Sequence, residues 1–286
     1  MKALLSATLV GRMLRDTANT ASGLIGRGID PQLAAVLVGN NPESVKYIAM
    51  KSRRAMEAGI ILSTYHLEET LSYDQIAKVL DYLAADHDIH GIILQLPLPG
   101  HFTAEQTDAL LKLIPASKDV DGLRGDWKTQ EYGAPAYADL VLSRPFSLPP
   151  MVGAVVSLLD EYAIPLTGKK IVLVGSGRLV GSPLLSYFKL LGLDAQAVNE
   201  ETEGILDIAF QADILITGTG QKDLVTYQWV KPGATVVDCA ADVHFDSVSQ
   251  VADALAPSVG GVGPLTMAWL LHNTVQATDN HYPEHP

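Results

Sequence analysis

Tyr47 and Lys51 are the residues whose types and spacing most invite a chemical reading. They stand four apart in Ser44-Val45-Lys46-Tyr47-Ile48-Ala49-Met50-Lys51, so a helix carries both on one face, one turn apart. Lysine works as an acid or base when its surroundings lower its proton affinity. The spacing Y-x-x-x-K also arises by chance, and its bland reading is a solvated surface pair.

A second chemical feature is the loop Gly175-Ser176-Gly177-Arg178-Leu179-Val180-Gly181. It reads G-x-G-x-x-x-G, one residue longer than the usual dinucleotide fingerprint. An apolar run precedes it and an apolar helical pattern follows. Glycines there let backbone approach a pyrophosphate, and a helix N-terminus supplies N–H donors. The bland reading is a tight turn without ligand. Further on, Asn199-Glu200-Glu201-Thr202 puts acids where such a fold places its ribose ligand. Carboxylates there accept from the 2′-hydroxyl of NAD and repel the 2′-phosphate of NADP; the alternative is a solvated acidic loop.

Three shorter segments add to these. Gln95-Leu96-Pro97-Leu98-Pro99 ends an apolar run, where Gln95 could point at Lys51. Asp119-Val120-Asp121-Gly122 is an acidic turn, as readily solvated as ligand-binding. Gly260-Gly261-Val262-Gly263-Pro264-Leu265-Thr266 is a glycine-dense turn before a helix, whose bland reading is a capped helix entry with Thr266 as N-cap. The 8 histidines show no paired metal-ligand spacing, and no metal is expected. The lone Cys239 has no base beside it.

The elements that must position these residues alternate between strand and helix. Strands are expected at Leu33–Val38, Ile60–His66 and Gly91–Leu96, and helices from the Gly39–Pro42 turn to Ala58, over Ser72–Asp86 and over Thr103–Leu113. Residues Gly122–Arg144 read as irregular, Pro145–Pro150 as a connection, and Met151–Tyr162 as a helix. A second alternation has strands at Ile171–Val174, Asp194–Val198, Ala212–Thr217 and Thr235–Asp238, with a helix after the glycine loop to Leu191. Gly260–Ala277 turns into a last helix, with a frayed tail after it. Such alternation implies parallel sheets with right-handed crossovers.

The 286 residues suit one large or two medium domains, and 48% hydrophobic against 18% charged residues suits a sizeable core. A net charge of −12 argues against a nucleic-acid or anionic-membrane partner. One cysteine makes a disulfide framework impossible and fits a reducing cytoplasm. Met1–Leu5 hints at a leader, but Ser6 and Thr8 interrupt the apolar run and no membrane span is expected.

Taken in order, Val38–Ser44 with Tyr47 and Lys51, Gln95–Pro99, Lys118–Gly122, Gly175–Pro183 and Gly260–Thr266 resemble the bifunctional methylenetetrahydrofolate dehydrogenase/methenyltetrahydrofolate cyclohydrolase family, over nearly the whole chain. The resemblance implies a two-domain α/β fold around a cleft. A three-layer α/β catalytic domain (1–145) would hold folate. A Rossmann-like domain (146–265) would hold NADP or NAD, and a C-terminal helix and tail (266–286) would pack back on the first domain. It implies a cytoplasmic homodimer that oxidises 5,10-methylenetetrahydrofolate and hydrolyses the methenyl product to 10-formyltetrahydrofolate.

In that reading Lys51, Tyr47, Gln95 and Asp121 are catalytic. Tyr47 packs on the folate rings, Gln95 tunes Lys51 through the neutral amine, and Asp121 holds the polar edge of the pterin. Leu96, Gly261, Val262, Gly263, Pro264 and Thr266 also line the folate side. Gly175 to Gly181, Glu200, Glu201, Thr217, Gly218, Thr219 and Ala241 bind cofactor. Hydride transfer needs orientation above all, and hydrolysis needs Lys51 as base, then acid.

The chain departs from the family's pattern in three places. Ser147-Leu148-Pro149-Pro150 stands where Pro-Cys-Thr-Pro is common, Glu200 and Glu201 replace phosphate-gripping residues, and Cys239-Ala240-Ala241 replaces a Val-Gly-Ile-like segment. The two acids lean towards NAD. The other readings are a cyclohydrolase without hydride transfer, a non-catalytic folate-binding protein, and a shikimate dehydrogenase-like oxidoreductase.

Overall fold

The computed structural model describes residues 1–129 and 147–283. They divide into two compact units. One takes Arg12–Trp127 with residues 147–149 and 270–283; the other takes Met1–Gly11 and Pro150–Trp269.

The first unit is built on a parallel sheet of three strands, in the order β3 (Ile61–Leu67), β2 (Gln32–Val38), β4 (Gly91–Leu94). Leu33 stands opposite Leu62 on one side and Gly91 on the other. β2 is a continuous apolar run because both its faces are covered. Leu33, Ala35 and Leu37 meet Ala21 and Leu24 of α1 (Ala7–Gly26) and Ile48 and Ala55 of α2 (Pro42–Glu57). Ala34, Val36 and Val38 face the other way, onto Ile76, Leu80 and Leu83 of α3 (Tyr73–Ala85) and Leu110 of α4 (Ala104–Leu113). The period-two alternation of the strand thereby sets three layers. Leu270, Leu271 and Val275 of the last helix join the α1–α2 layer, as the expected packing of that helix requires.

α2, α3 and α4 start where side chains can take up their free N–H groups. Asn41 Oδ1 accepts from Glu43 N at 3.0 Å and Ser44 N at 3.1 Å, with Pro42 opening α2. Ser72–Gln75 and Thr103–Gln106 form capping boxes on α3 and α4.

The second unit carries a six-stranded parallel sheet. Its order is β1 (Lys2–Ala3), β9 (Ala254–Ala256), β8 (Thr235–Asp238), β7 (Ile214–Thr217), β5 (Ile171–Val174), β6 (Ala195–Val198). The helices are α5 (Pro150–Glu161), α6 (Gly181–Leu190), α7 (Ile205–Phe210), α8 (Phe245–Val248) and the start of α9 (Gly263–His281). After β5 the chain goes first to β6 on one side and then to β7 on the other, so the strand order reverses at β5. That switch point is where doubly wound sheets bind ligands, outside the C-terminal strand ends. Gly153 of α5 is set by packing: a Cβ there would lie 2.6 Å from Trp269 Cε2. The indole Nε1 donates to Ser157 Oγ at 3.2 Å.

Several expectations need correction. At the start of the chain, Lys2 and Ala3 form a short strand that no expectation included, pairing with Ala254 and Leu255, and a 20-residue helix follows. The third strand stops at Leu94, leaving Gln95 and Leu96 in the turn beyond it. α9 begins at Gly263, so Thr266 lies inside it rather than capping it, and Thr266 Oγ1 donates to Val262 O at 3.1 Å. The helix runs on to His281, past the expected fraying at Ala277. The readings of Gly122–Arg144 and Pro145–Pro150 fall partly outside the described residues. Within them, Asp126–Thr129 makes one short 3-10 turn and Pro150 already opens α5. No helix among the described residues is long and apolar enough to cross a membrane.

Candidate active site

The turn Gly39–Asn41 aims α2 across the C-terminal end of its sheet. Gly39 takes a φ of 76°, and its carbonyl bonds His66 Nε2 at 2.9 Å. α2 then buries Ile48 and Ala55 and turns Tyr47 and Lys51 away from the core. Tyr47 is 50% exposed, presenting an open ring face. Lys51 is half-buried, and its Nζ donates to Gln95 Oε1 at 3.0 Å. Gln95 has its backbone fixed by Val36 O (2.8 Å) and its amide Nε2 fixed by Leu96 O (2.8 Å). That second bond decides the amide's orientation, so Gln95 meets Lys51 as an acceptor. An acceptor serves the ammonium as well as the amine, so it does not single out the neutral form as the sequence reading proposed. Leu96 is half-buried against the Ile76–Leu80–Leu83 cluster.

The acidic turn brings the Asp121 carboxyl beside Lys51. Burial raises the proton affinity of Asp121, and the charge of Lys51 pulls it back down. Asp119 is buried and pushed up to about 7, by burial first and then by Asp121, while N–H donation from Arg124 and Leu123 opposes the rise. Its carboxylate accepts from Arg124 N at 2.9 Å and Leu123 N at 3.3 Å, so Asp119 braces the turn. Lys118, which sequence reasoning passed over, anchors the other end. Its Nζ donates to the carbonyls of Ala84 (2.9 Å), Asp86 (2.6 Å) and Leu83 (3.3 Å), closing the C-terminus of α3.

In the second unit the glycine loop leaves β5 at its C-terminal end. Gly175 takes a φ of 100°. A Cβ at Gly181 would run into the Gly175 carbonyl and lie 2.8 Å from its carbon. A Cβ at Gly218, just past β7, would lie 2.6 Å from Val180 Cβ. These three glycines therefore let two loops close on each other at the switch point. The N-cap position of α6 is Val180, which offers no capping side chain to the first turn. A loop of this kind suits the pyrophosphate of a dinucleotide. Ser176, Gly177 and Leu179 are exposed along it, and Arg178 is half-buried.

Beyond β6, the turn Asn199–Thr202 is locked from inside. Glu201 N donates to Asn199 Oδ1 at 3.2 Å and Asn199 N to Thr202 Oγ1 at 3.0 Å. Glu200 and Glu201 stay exposed on it.

A pair of acids missed in the sequence organises the loop after β8. Asp238 accepts from Asp242 N at 3.0 Å, Ala240 N at 3.2 Å and Val243 N at 3.4 Å, holding Ala241 at a φ of 63°. Asp242 Oδ2 accepts from Thr219 N at 2.7 Å, tying this loop to Thr217–Thr219 after β7. Both acids are buried, and burial raises the proton affinity of Asp238. The Cys239 thiol is pushed up by burial and by those two acids, which disfavours the thiolate a nucleophile needs.

The Gly260–Thr266 turn belongs to this second unit. Gly260 takes a φ of 83°, and its carbonyl accepts from Ser6 N at 2.9 Å and Ser6 Oγ at 3.0 Å. Val259 is 87% exposed, Gly263 and Pro264 are exposed, and Gly261 and Val262 are buried. No cluster of three or more metal-ligating side chains occurs among the described residues.

The structure thus gathers Tyr47, Lys51, Gln95, Leu96 and Asp121 in one unit. The glycine loop, Glu200, Glu201, Thr217–Thr219, Ala241 and Gly261–Thr266 lie in the other.

Comparison with known proteins agrees with both halves. Residues 5–121 match the model of the tetrahydrofolate dehydrogenase/cyclohydrolase catalytic domain, and residues 149–282 match its NAD(P)-binding domain. The chain is 35% identical to Bifunctional protein FolD 1 of Myxococcus xanthus, over 97% of this chain and 98% of that protein. It is 32% identical to Bifunctional protein FolD of Enterococcus faecalis, over 94% and 95%. The crystal structure of the bifunctional enzyme FolD, a methylenetetrahydrofolate dehydrogenase/cyclohydrolase from Campylobacter jejuni, superposes with a TM-score of 0.86. It has 32% identity and covers 98% of this chain and 99% of that one. The chain belongs to the tetrahydrofolate dehydrogenase/cyclohydrolase family.

Proposed function

We propose that this protein oxidises 5,10-methylenetetrahydrofolate to 5,10-methenyltetrahydrofolate with a nicotinamide cofactor, and then hydrolyses the product to 10-formyltetrahydrofolate. The observation that carries the reading is Lys51 Nζ held 3.0 Å from Gln95 Oε1, in a chain whose two halves match both domains of the family. The nicotinamide supplies the hydride acceptor. What the chain contributes to that step is orientation. Tyr47 offers its exposed ring to the folate ring system, and Asp121 accepts hydrogen bonds from the polar edge of the pterin.

In the hydrolytic step water adds to the methenyl carbon. Lys51, as free amine, takes the water proton and returns it to the nitrogen whose bond to that carbon breaks. Gln95, fixed by Leu96 O, keeps the Lys51 nitrogen in one place through this exchange.

On the cofactor side, Gly175, Gly177, Gly181 and Gly218 allow backbone to approach the pyrophosphate, with Arg178 adding positive charge. Glu200 and Glu201 accept from the adenosine ribose hydroxyls and disfavour a 2′-phosphate, so NAD is the preferred cofactor. Thr217, Thr219 and Ala241 lie on the two loops tied by Asp242, and we assign them to the same site. Gly261–Thr266 is assigned to the folate.

A cytoplasmic homodimer completes the reading. Its supports are the lone cysteine and the family resemblance; sedimentation at micromolar concentration tests the dimer. The activity itself is tested by supplying methylenetetrahydrofolate and NAD and following the appearance and decay of methenyltetrahydrofolate. Hydrolysis of separately supplied methenyltetrahydrofolate, with no nicotinamide-dependent oxidation of methylenetetrahydrofolate, would select the hydrolase-only alternative, which the Cys239–Ala241 departure favours. Absence of both would remove the reading.

A further inference from the structure

We infer that Asn273 is a positioning residue for the folate site, acting through the backbone of Asp121. Asparagine is a poor choice for the middle of a helix, and a buried amide is costly unless its polar atoms are bonded. Asn273 lies inside α9 and is only 4% exposed. Its Nδ2 donates to Val120 O at 2.8 Å and to Leu148 O at 2.8 Å. Both amide hydrogens are therefore spent on backbone carbonyls of segments that form no strand or long helix of their own.

The target of the first bond gives the residue its role. The Val120 carbonyl belongs to the rigid peptide plane whose nitrogen is that of Asp121. Gripping that oxygen fixes the plane from which the Asp121 side chain departs. The second bond sets 147–149 against the same turn. A Cβ at Gly122 would lie 2.6 Å from Pro149 N and 2.9 Å from Ser147 O, and Gly122 takes a φ of 63°. Asp119 and Lys118 hold the turn before and after, but neither touches the Val120–Asp121 plane.

The inference rests on the assignment of Asp121 to folate binding, and a double-mutant cycle separates the two claims. The readouts are the KM for methenyltetrahydrofolate, the kcat of its hydrolysis and the Kd for NAD, in variants whose circular dichroism matches the parent. Asn273→Ala removes both bonds and is expected to raise the folate KM about tenfold, the order set by the bond lost at the Val120 carbonyl, and to leave the Kd for NAD within about twofold. In an Asp121→Asn background the same change should move the KM less than about twofold, because the carboxylate it positions is gone. If Asn273→Ala does not fold, Asn273→Ser serves the same cycle with a smaller polar side chain. A folate KM unmoved by Asn273→Ala, or the same fold-change in both backgrounds, overturns the inference. A KM unmoved by Asp121→Asn alone takes down the assignment of Asp121 itself, and the inference with it.

Discussion

Gly181→Ala should separate the two activities. A Cβ at this position would run into the Gly175 carbonyl and stand 2.8 Å from its carbon. An ordinary contact there is several tenths of an ångström longer, and the neighbour is backbone, which cannot rotate away. The two limbs of the glycine loop must therefore part by about 1 Å, the scale of misplacement that costs about 100-fold in rate at an active site. Overpacking of this kind removes roughly 1–3 kcal/mol of stability, a fall of about 5 °C in Tm for a domain of this size. The affected loop lies in the unit built around β5–β9, whereas Lys51, Gln95 and Asp121 lie in the other. Titration calorimetry with NAD should show binding weakened at least tenfold, and dehydrogenase turnover should fall about 100-fold. Hydrolysis of methenyltetrahydrofolate should stay within about twofold. A Gly181→Ala protein that binds NAD and transfers hydride like the parent would refute the assignment of this loop to the cofactor.

Other perturbations read the remaining groups. Lys51→Met keeps the chain length and removes the proton carrier, so cyclohydrolase turnover should fall at least 1,000-fold, within the range general acid–base catalysis supplies; retained turnover removes Lys51 from that role. Asp119 sits at about 7 when folded against 3.8 for a free carboxyl, so its neutral form favours the fold at low pH and that stability is lost as pH rises through 7. The full loss is about 4 kcal/mol. Urea midpoints at pH 5 and pH 8 should differ more for the parent than for Asp119→Asn, and equal differences would contradict the raised value. A Cβ at Gly218 would stand 2.6 Å from Val180 Cβ, which no rotation moves, so Gly218→Ala should also weaken NAD binding, and unchanged binding would contradict the packing of the two loops.

The strand–helix alternation is legible because β2, β4, β5, β7 and β8 are short apolar runs closed by turn residues. The Tyr47–Lys51 face and the glycine loop are legible for a related reason: each depends on neighbours within a turn or two of chain. α1 is not, because Gly11 and the threonines at 17 and 20 dilute its helical pattern. Its buried Leu9, Met13, Ala21 and Leu24 become a stripe only once the sheet is there to cover them. The pairing of Lys2 with Ala254 and the reach of Asn273 to Val120 and Leu148 join residues far apart in sequence, which no local pattern encodes. Asp238 and Asp242 read as ordinary loop acids, and only the fold reveals them as the frame of the Ala241 loop. The Thr266 cap failed because threonine inside a helix can bond its own preceding turn, as Thr266 Oγ1 does with Val262 O.

The proposed preference for NAD over NADP rests on Glu200 and Glu201. The most direct measurement is the rate of methylenetetrahydrofolate oxidation with NAD and with NADP, followed spectroscopically at matched concentrations. The kcat/KM for NAD should exceed that for NADP by about tenfold or more, the scale of one or two screened charge–charge contacts. Replacement of both acids by serine should narrow the gap. A clear preference for NADP in the parent would contradict the proposed preference.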